Sequence, residues 1–303
     1  MKIAAIDIGT NTVLMTIKNL SEENSVKDFS SIVRLGEGLH DSGIISQAAI
    51  DRLIETLKNY KSILDSEQVE KTELIATSAM RDAKNRSEVI EQVFSAVGMT
   101  IEVISGDEEA SLTYFGGLDG LKFHSNSIGL LDIGGGSTEY IIGSGSSIKF
   151  KKSLNIGTVR LSERFGLLGE NPNDYQITKF TDHVYKQLHS LPFYSKPETE
   201  WVAVAGTPTS LSSVILNLTK YIPEMVHGSI ITKSQLKNYT KEFSSVPPSE
   251  IVRRYPILNK RQDLILAGCL ILLCSFEHFS MNKILVSDRG LRSGKLKKMA
   301  RSN

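Results

Sequence analysis

Two loops of similar sequence, each directly after an apolar run, constrain most strongly what this chain can fold into. The loops read Asp7-Ile8-Gly9-Thr10-Asn11-Thr12 and Asp132-Ile133-Gly134-Gly135-Gly136-Ser137-Thr138. Glycine permits a tight turn that points several backbone N–H groups at one anion, and the hydroxyl groups add further donors. The alternative for the second loop is a plain hairpin with capping side chains. We expect two phosphate-binding loops that close on a phosphate chain from both sides of a cleft.

The order of predicted elements indicates two domains of the α/β class. Strands and helices alternate in both halves, and each half opens with a strand-loop-strand unit. A polar, turn-rich segment at 118–127 marks the boundary, so the expected domains are 1–120 and 121–303. The two loops are the only repeat signal in the sequence.

Local signals predict several individual elements. Ser46 is a suitable N-cap for a helix from Gln47 to about Ser62, and Gly98 is suited to end the helix 87–97. We further predict a strand that leads into a loop over 31–38, a helix over 261–278 and a basic helix from Leu291. Gly206-Thr207-Pro208 is expected to form a turn before a helix that starts at Thr209.

Charge and cysteine content narrow the class of protein. The net charge of the 303 residues is +1, and basic and aromatic residues do not interleave, so we expect no nucleic-acid partner. The segments 140–162 and 289–303 carry Lys and Arg but no acidic residue, which indicates either two solvated faces or the lining of a path for a long anion. Cys269 and Cys274 are expected to be core thiols in a reducing compartment.

The distribution of apolar residues predicts neither a signal peptide nor a membrane-spanning helix. The N-terminal apolar stretch is interrupted early by Asp7 and Gly9, and the apolar run 264–276 is shorter than the roughly 20 residues that span a bilayer. We therefore expect a cytoplasmic protein with no membrane partner. A homodimer is compatible with the sequence, which does not determine the oligomeric state.

Charged side chains near two predicted strand ends are candidates for chemistry. Arg81 follows a strand, where its guanidinium could bind a phosphate bidentately, although such an arginine is more often a surface or ion-pairing residue. Asp107, Glu108 and Glu109 begin a helix, where acids also complement the helix dipole. One of the three could instead act as the general base that orients a water molecule for phosphoanhydride hydrolysis. Their spacing does not say which.

The remaining candidates concern metal and phosphate. Asp132 and Glu139 flank the second loop and could hold Mg²⁺, which prefers carboxylate, water and phosphate oxygens. Gly206 and Thr207 could receive a further phosphate at a helix N-terminus, or form an ordinary strand–helix turn. The six histidines show no metal-binding spacing.

Six motifs in order resemble those of the exopolyphosphatase/guanosine pentaphosphate phosphohydrolase family. They are Asp7–Thr12, Thr77–Arg81, Ile104–Ala110, Asp132–Glu139, Gly157–Leu161 and Gly290–Arg292. The match covers nearly the whole chain. Departures occur at Ser293, where the family usually has Glu, at Ala205-Gly206 in place of a double glycine, and at Gln262 in place of Ala. The chain also ends where longer members continue into a helical domain.

The resemblance implies a fold and an activity. The fold is that of the acetate kinase, sugar kinase and actin superfamily, with two ribonuclease-H-like domains around a central cleft. The activity is Mg²⁺-dependent removal of a terminal phosphate by water. Carried over by motif, Glu109 is the base, Arg81 meets a phosphate, and Asp132, Gly134 and Glu139 match metal- and phosphate-binding positions.

Four functions remain open at the level of the sequence. The first is exopolyphosphatase activity on inorganic polyphosphate, and the second is removal of the 5′-phosphate from guanosine pentaphosphate (pppGpp). A phosphotransferase with an acceptor substrate would have the same fold, and a non-catalytic polyphosphate or alarmone sensor would retain the same loops. The presence of Glu109 favours hydrolysis over the last two.

Overall fold

The computed structural model describes residues 1–22, 25–145, 147–169, 171–191 and 196–301. The strands, in chain order, are β1 (Lys2–Ile8), β2 (Thr12–Asn19), β3 (Val26–Ile32), β4 (Lys71–Ala76), β5 (Ile101–Val103), β6 (Ile128–Ile133), β7 (Thr138–Ser144), β8 (Ser147–Leu154), β9 (Glu200–Val204), β10 (Ile230–Thr232) and β11 (Lys283–Val286). The helices are α1 (Leu39–Ser42), α2 (Gln47–Ser66), α3 (Ser78–Asp82), α4 (Arg86–Val97), α5 (Gly106–Gly117), α6 (Thr158–Phe165), α7 (Asp174–Leu188), α8 (Gly206–Ile215), α9 (Pro223–Val226), α10 (Lys233–Ser245), α11 (Pro248–Arg254), α12 (Ile265–His278) and α13 (Leu291–Arg301), with a 3₁₀ turn at Pro256–Leu258.

The chain forms two compact units. The first unit is Met1–Gly116 together with Leu291–Asn303, and the second is Gly117–Gly290. The sequence-based limits of 1–120 and 121–303 place the last helix in the second domain. In the structure, Leu296 and Met299 of α13 instead pack on Ile3 of β1 in the first unit.

The two sheets repeat one strand arrangement. The first sheet has the order β3-β2-β1-β4-β5, and the second has β10-β11-β9-β6-β7-β8. In each, an antiparallel three-stranded meander (β1 to β3, or β6 to β8) is extended from its first strand by parallel strands (β4 and β5, or β9 and β11). Each of the two loops of interest is therefore the first turn of its meander.

Two helix-end signals in the first unit lie where the sequence predicts them. In α2 the buried stripe comprises Ala49, Ile50, Leu53, Leu57, Tyr60 and Leu64, and the Ser46 side chain accepts a hydrogen bond from the Ala49 N–H. Gly98 ends α4 with a φ of 71°, a left-handed conformation that costs glycine little. These two predictions are confirmed.

The core of the second unit is built around α12. Eleven of its residues are buried, Cys269 and Cys274 among them, so the prediction of two core thiols is confirmed. Burial raises the pKa of each thiol to about 12, because an apolar surrounding disfavours the thiolate. Neither cysteine is therefore poised for nucleophilic chemistry.

Several element boundaries differ from the sequence-based expectation, and α2, for example, ends at Ser66 rather than near Ser62. Strand β3 spans Val26–Ile32 and so begins five residues before the predicted start at Ser31, while the loop that was expected to follow donates backbone hydrogen bonds to the first loop. Helix α8 begins at Gly206, so the predicted turn is its first helical turn. Helix α12 begins at Ile265, after a turn over 261–264.

Candidate functional site

The first loop is a hairpin turn that is hydrogen-bonded to the chain segment following β3. The Gly9 N–H donates to the Thr12 carbonyl at 3.0 Å, which closes the turn. The Asn11 carbonyl accepts from the Val33 and Arg34 N–H groups, and the Thr10 carbonyl accepts from the Gly36 N–H. These hydrogen bonds tie the loop to that segment. Asp7 lies at the end of β1, just before the turn.

Arg81 and Glu109 form an ion pair within the first unit. Arg81 lies on α3, directly after β4, and Glu109 lies in the first turns of α5, after β5. The Arg81 Nη1 atom donates to Glu109 Oε2 at 2.6 Å and to the Ile104 carbonyl at 3.2 Å. Strands β1, β4 and β5 are parallel neighbours, so their carboxyl ends bring the first loop, Arg81 and Glu109 to one edge of the sheet.

Burial singles out Glu109 among the three acids that begin α5. Asp107 is exposed, and Glu108 pairs with Lys298 on the surface, whereas Glu109 is 7% exposed. Burial raises the pKa of the Glu109 carboxyl group, and the adjacent Arg81 guanidinium opposes part of that rise. A carboxylate whose pKa lies above its ordinary value is a stronger base, as proton abstraction from water requires.

The second loop depends on close backbone packing. The Gly134 N–H donates to the Ser137 carbonyl at 3.0 Å, the same closure as in the first loop. A Cβ atom on Gly157 would lie 2.3 Å from the Gly135 carbonyl oxygen, so only glycine fits there. The Arg160 Nε atom donates to the Gly136 carbonyl at 2.7 Å. Arg160 therefore supports the loop through a backbone oxygen.

Two carboxylates stand side by side at the base of the second loop. Asp132 and Glu139 are directly opposed residues of the antiparallel pair β6/β7, so their side chains share one face of the sheet. Glu139 is buried and its Oε1 atom accepts from Ser137 Oγ at 2.8 Å and from Ser153 Oγ at 2.6 Å. Among the described residues, no three His, Cys, Asp or Glu side chains form a group that could hold a metal ion.

Two predicted phosphate ligands have their side chains engaged within the protein. The Thr138 hydroxyl donates to the Ile156 carbonyl at 2.5 Å, and the residue is fully buried. The Thr207 side chain lies against Gly268 of α12, where a Cβ atom would come within 2.1 Å of its hydroxyl oxygen. The Thr138 hydroxyl therefore already donates its proton to a protein acceptor, and the Thr207 side chain packs on α12.

The start of α8 follows a strained residue and packs against a partly buried arginine from another segment. Ala205 has a φ of 76° and a ψ of −169°, a region of backbone space that is nearly restricted to glycine. The Arg261 guanidinium packs on Gly206, where a Cβ atom would lie 2.0 Å from its Nη1 atom. Burial lowers the pKa of Arg261, although its guanidinium remains charged at neutral pH.

Sequence reasoning missed Arg261 and Ser153 as site residues. Arg261 is far from Gly206 in the chain, and no local pattern connects them. Ser153 could have been found from the strand register, since it opposes Glu139 across β7 and β8. The carboxyl ends of β6 and β9 bring the second loop and the start of α8 to one edge of the second sheet, as in the first unit.

Comparison with known proteins decides the classification. The model of the Ppx/GppA phosphatase family matches residues 16–303. The chain belongs to this family. The resemblance of the motifs to this family is thereby confirmed.

Individual relatives show how far the similarity extends. A bifunctional 3-dehydroquinate synthase/phosphatase of Fusobacterium nucleatum subsp. nucleatum is 33% identical over 298 residues, which make up 94% of this chain but 44% of that protein. The chain thus spans less than half of the length of that relative. Exopolyphosphatase 2 of Mycobacterium tuberculosis is 29% identical over 286 residues, with 89% of this chain and 88% of that protein covered.

A solved Ppx/GppA structure has the same fold. The crystal structure of the Aquifex aeolicus family member is 33% identical, with a TM-score of 0.83 over 100% of this chain and 99% of that one. Together with the two sheets of matching strand arrangement, this confirms the predicted class of two ribonuclease-H-like α/β domains. In the part of the chain that the structure describes, no helix has both the length and the apolar character to cross a membrane.

The donor set at the second loop fits a magnesium ion that is shared with a substrate. Mg²⁺ usually retains water and takes one or two protein carboxylates together with phosphate oxygens. Asp132 and Glu139 supply two carboxylates on one sheet face, and Ser137 and Ser153 orient one of them. These residues do not make a closed protein cage, so the arrangement suits an ion that depends on phosphate oxygens for the rest of its coordination.

Proposed function

We propose that this protein is a Mg²⁺-dependent exopolyphosphatase, which releases terminal orthophosphate from inorganic polyphosphate. The observation that carries the proposal is the ion pair of Arg81 with the buried Glu109, with Arg81 Nη1 at 2.6 Å from Glu109 Oε2. It supplies a base and a phosphate-binding cation at one sheet edge. The relative from Mycobacterium tuberculosis, which is named an exopolyphosphatase and covered over 88% of its length, supports this choice of substrate.

In the proposed reaction, Glu109 acts as the general base. Its carboxylate accepts a proton from a water molecule as the water oxygen attacks the terminal phosphorus. The P–O bond of the phosphoanhydride breaks, which yields orthophosphate and a chain that is one phosphate shorter. Arg81 stabilises the charge on the phosphate oxygens and holds the Glu109 carboxylate in place.

Phosphate binding is assigned to the two loops and the start of α8. In the first unit these are Gly9, Thr10, Asn11 and Thr12, next to Asp7. In the second unit they are Gly134, Gly135, Gly136, Ser137 and Thr138, with Gly206 and Thr207 at α8. Asp132 and Glu139 would hold Mg²⁺, which when bound neutralises charge on phosphate oxygens.

The decisive test compares three acid-to-amide variants at the start of α5. We expect Glu109→Gln to lower phosphate release from polyphosphate by about 10²–10⁴-fold, the usual contribution of a general base, while polyphosphate still binds. Asp107→Asn and Glu108→Gln remove the same charge from neighbouring positions and should retain turnover. Unchanged turnover in Glu109→Gln would refute the assignment of the base.

The substrate is tested separately from the base. Phosphate release would be measured from long-chain polyphosphate and from pppGpp, with Mg²⁺ and after EDTA. Metal-dependent release that is faster from polyphosphate supports the proposal, whereas a preference for pppGpp would identify a guanosine pentaphosphate phosphohydrolase. Release from neither substrate would favour a sensor or a phosphotransferase.

A further inference from the structure

The chain segment that follows β3 is closely packed against the first loop. The Val33 and Arg34 N–H groups donate to the Asn11 carbonyl at 3.0 and 2.9 Å. The Gly36 N–H donates to the Thr10 carbonyl at 2.9 Å. A Cβ atom on Gly36 would lie 2.3 Å from the Thr10 Cγ2 atom, so the two chain segments approach each other as closely as glycine allows. The conformation of the loop is therefore coupled to the conformation of this segment.

Arg52 of α2 binds the carbonyl oxygens of the same segment. Its Nε atom donates to the Val33 carbonyl at 2.7 Å, and its Nη2 atom donates to the Arg34 carbonyl at 3.3 Å. The Nη2 atom also donates to Glu37 Oε2 at 2.9 Å. A planar guanidinium group has N–H donors in fixed directions, so it can hold two neighbouring carbonyl oxygens at once.

One peptide group connects Arg52 to the first loop. The peptide between Val33 and Arg34 accepts a hydrogen bond from the guanidinium group on its oxygen and donates its N–H to the Asn11 carbonyl. Hydrogen bonds in such a chain polarise one another, so the cation strengthens the N–H donor. Arg34 also has a φ of 51°, which is uncommon for a residue other than glycine. The two bonds from Arg52 to carbonyl oxygens of this turn help to hold that conformation.

We propose that Arg52 is a positioning residue for phosphate binding by the first loop. It holds residues 33–36 in the conformation that fixes the loop carbonyls, and thereby the directions of the loop N–H groups. This role rests on the assignment of the loop to phosphate in the proposed function. Arg81 and Glu109 follow other strands of the sheet, so we expect Arg52 to affect substrate binding and not proton transfer.

Two substitutions at Arg52 separate geometry from charge. Arg52→Gln removes both the cation and the paired donors. Arg52→Lys keeps the positive charge, but an ammonium group does not reproduce the fork that holds two neighbouring carbonyl oxygens. Lys58→Gln is the matched control, since it removes one exposed positive charge from the same helix. All variants are assayed well below their melting temperatures, so that folded protein is compared with folded protein.

The test combines binding with steady-state turnover. Binding of tripolyphosphate with Mg²⁺ is measured by calorimetry in the Glu109→Gln background, where hydrolysis should not consume the ligand. KM and kcat are measured with long-chain polyphosphate in the background of the natural sequence. We expect both Arg52 variants to bind tripolyphosphate about tenfold more weakly and to raise KM by a similar factor, as for the loss of a charge-assisted hydrogen bond. Their kcat should be nearly unchanged, and Lys58→Gln should match the wild type in both constants.

Hydrogen exchange reports on the segment without any ligand. In Arg52→Gln, the amides of Val33, Arg34 and Gly36 should exchange faster than in the wild type, whereas the amides of α4 should be unchanged. A general loss of stability would instead speed exchange in both regions. It would also reduce the active fraction, which lowers the apparent kcat and leaves KM as it is.

Four results would overturn the inference. Wild-type affinity for tripolyphosphate in Arg52→Gln would show that Arg52 does not support phosphate binding, and full recovery in Arg52→Lys would reduce its role to its charge. A lower kcat with an unchanged KM would indicate lost stability or lost chemistry. Failure of the Glu109→Gln protein to bind tripolyphosphate would remove the phosphate role of the loop. If tripolyphosphate bound but the wild type released no phosphate, only the exopolyphosphatase proposal would fail, because binding and exchange would still decide the role of Arg52.

Discussion

Replacing Ala205 by glycine should stabilise this protein. Ala205 connects β9 to α8 with a φ of 76° and a ψ of −169°. A residue other than glycine that is held in this region costs of order 1–3 kcal/mol, because its Cβ atom clashes with the backbone. Glycine avoids the clash, so Ala205→Gly should release this strain.

The expected net gain is smaller than the strain. Glycine increases the conformational entropy of the unfolded chain, which offsets about 0.4–1 kcal/mol. Loss of the half-buried methyl group offsets at most ~0.8 kcal/mol. If the strain is about 2 kcal/mol, the middle of its range, a net stabilisation of about 1 kcal/mol remains after these two losses. For domains of 150–250 residues this corresponds to a rise in melting temperature of about 2–4 °C.

The assay is thermal unfolding of wild type, Ala205→Gly, Ala205→Val and Ala48→Gly under one set of conditions. Ala48 is an exposed residue of α2 with ordinary helical geometry, so Ala48→Gly should be destabilising by up to about 1 kcal/mol. Ala205→Val should also lower the melting temperature, since a β-branched residue tolerates positive φ poorly. If Ala205→Gly lowered the melting temperature as Ala48→Gly does, the strain argument would be refuted.

Three further predictions concern the second loop, pH and the basic strand β8. Gly157→Ala should abolish most phosphate release while leaving the circular dichroism spectrum unchanged, because its Cβ atom would lie 2.3 Å from the Gly135 carbonyl oxygen; wild-type turnover would contradict the packing. Burial lowers the pKa of His183, His227 and His278, so the unfolded chain binds more protons and stability should fall as pH drops below about 6.5. The raised pKa of Glu109 has the opposite effect, because it makes the folded protein more stable as the pH falls. The melting temperature is therefore best measured from pH 7 to 5.5 in Glu109→Gln, where a constant value would exclude the histidine effect. In β8, Lys151 shares a sheet face with Ser153 whereas Lys152 is on the other face, so Lys151→Gln should weaken long polyphosphate more than short and Lys152→Gln should not; equal effects at all lengths would exclude a polymer path along this face.

Local sequence patterns were sufficient to predict most of the helices and strands and to identify the family. The strands that flank the two loops, the Ser46 cap and the Gly98 stop each depend on a few neighbouring residues, and the structure has them where the sequence predicts them. The family follows from the order of several motifs along the chain, which does not require knowledge of any contact. The candidate residues Arg81 and Glu109 came from the same motifs.

What the sequence could not decide depends on contacts between distant segments. Three acids begin α5, and only packing buries Glu109 and brings it within 2.6 Å of Arg81. The last helix was expected in the second domain, but Leu296 and Met299 bury their apolar area on β1. Likewise, helix propensity did not reveal that α8 begins at Gly206, where Arg261 fills the space that a side chain would take. The sequence by itself determined most elements, the motifs and the family, because those are local. The tertiary structure decided which carboxylate is buried and which arginine pairs with it, because burial and ion pairing arise only when remote segments pack together.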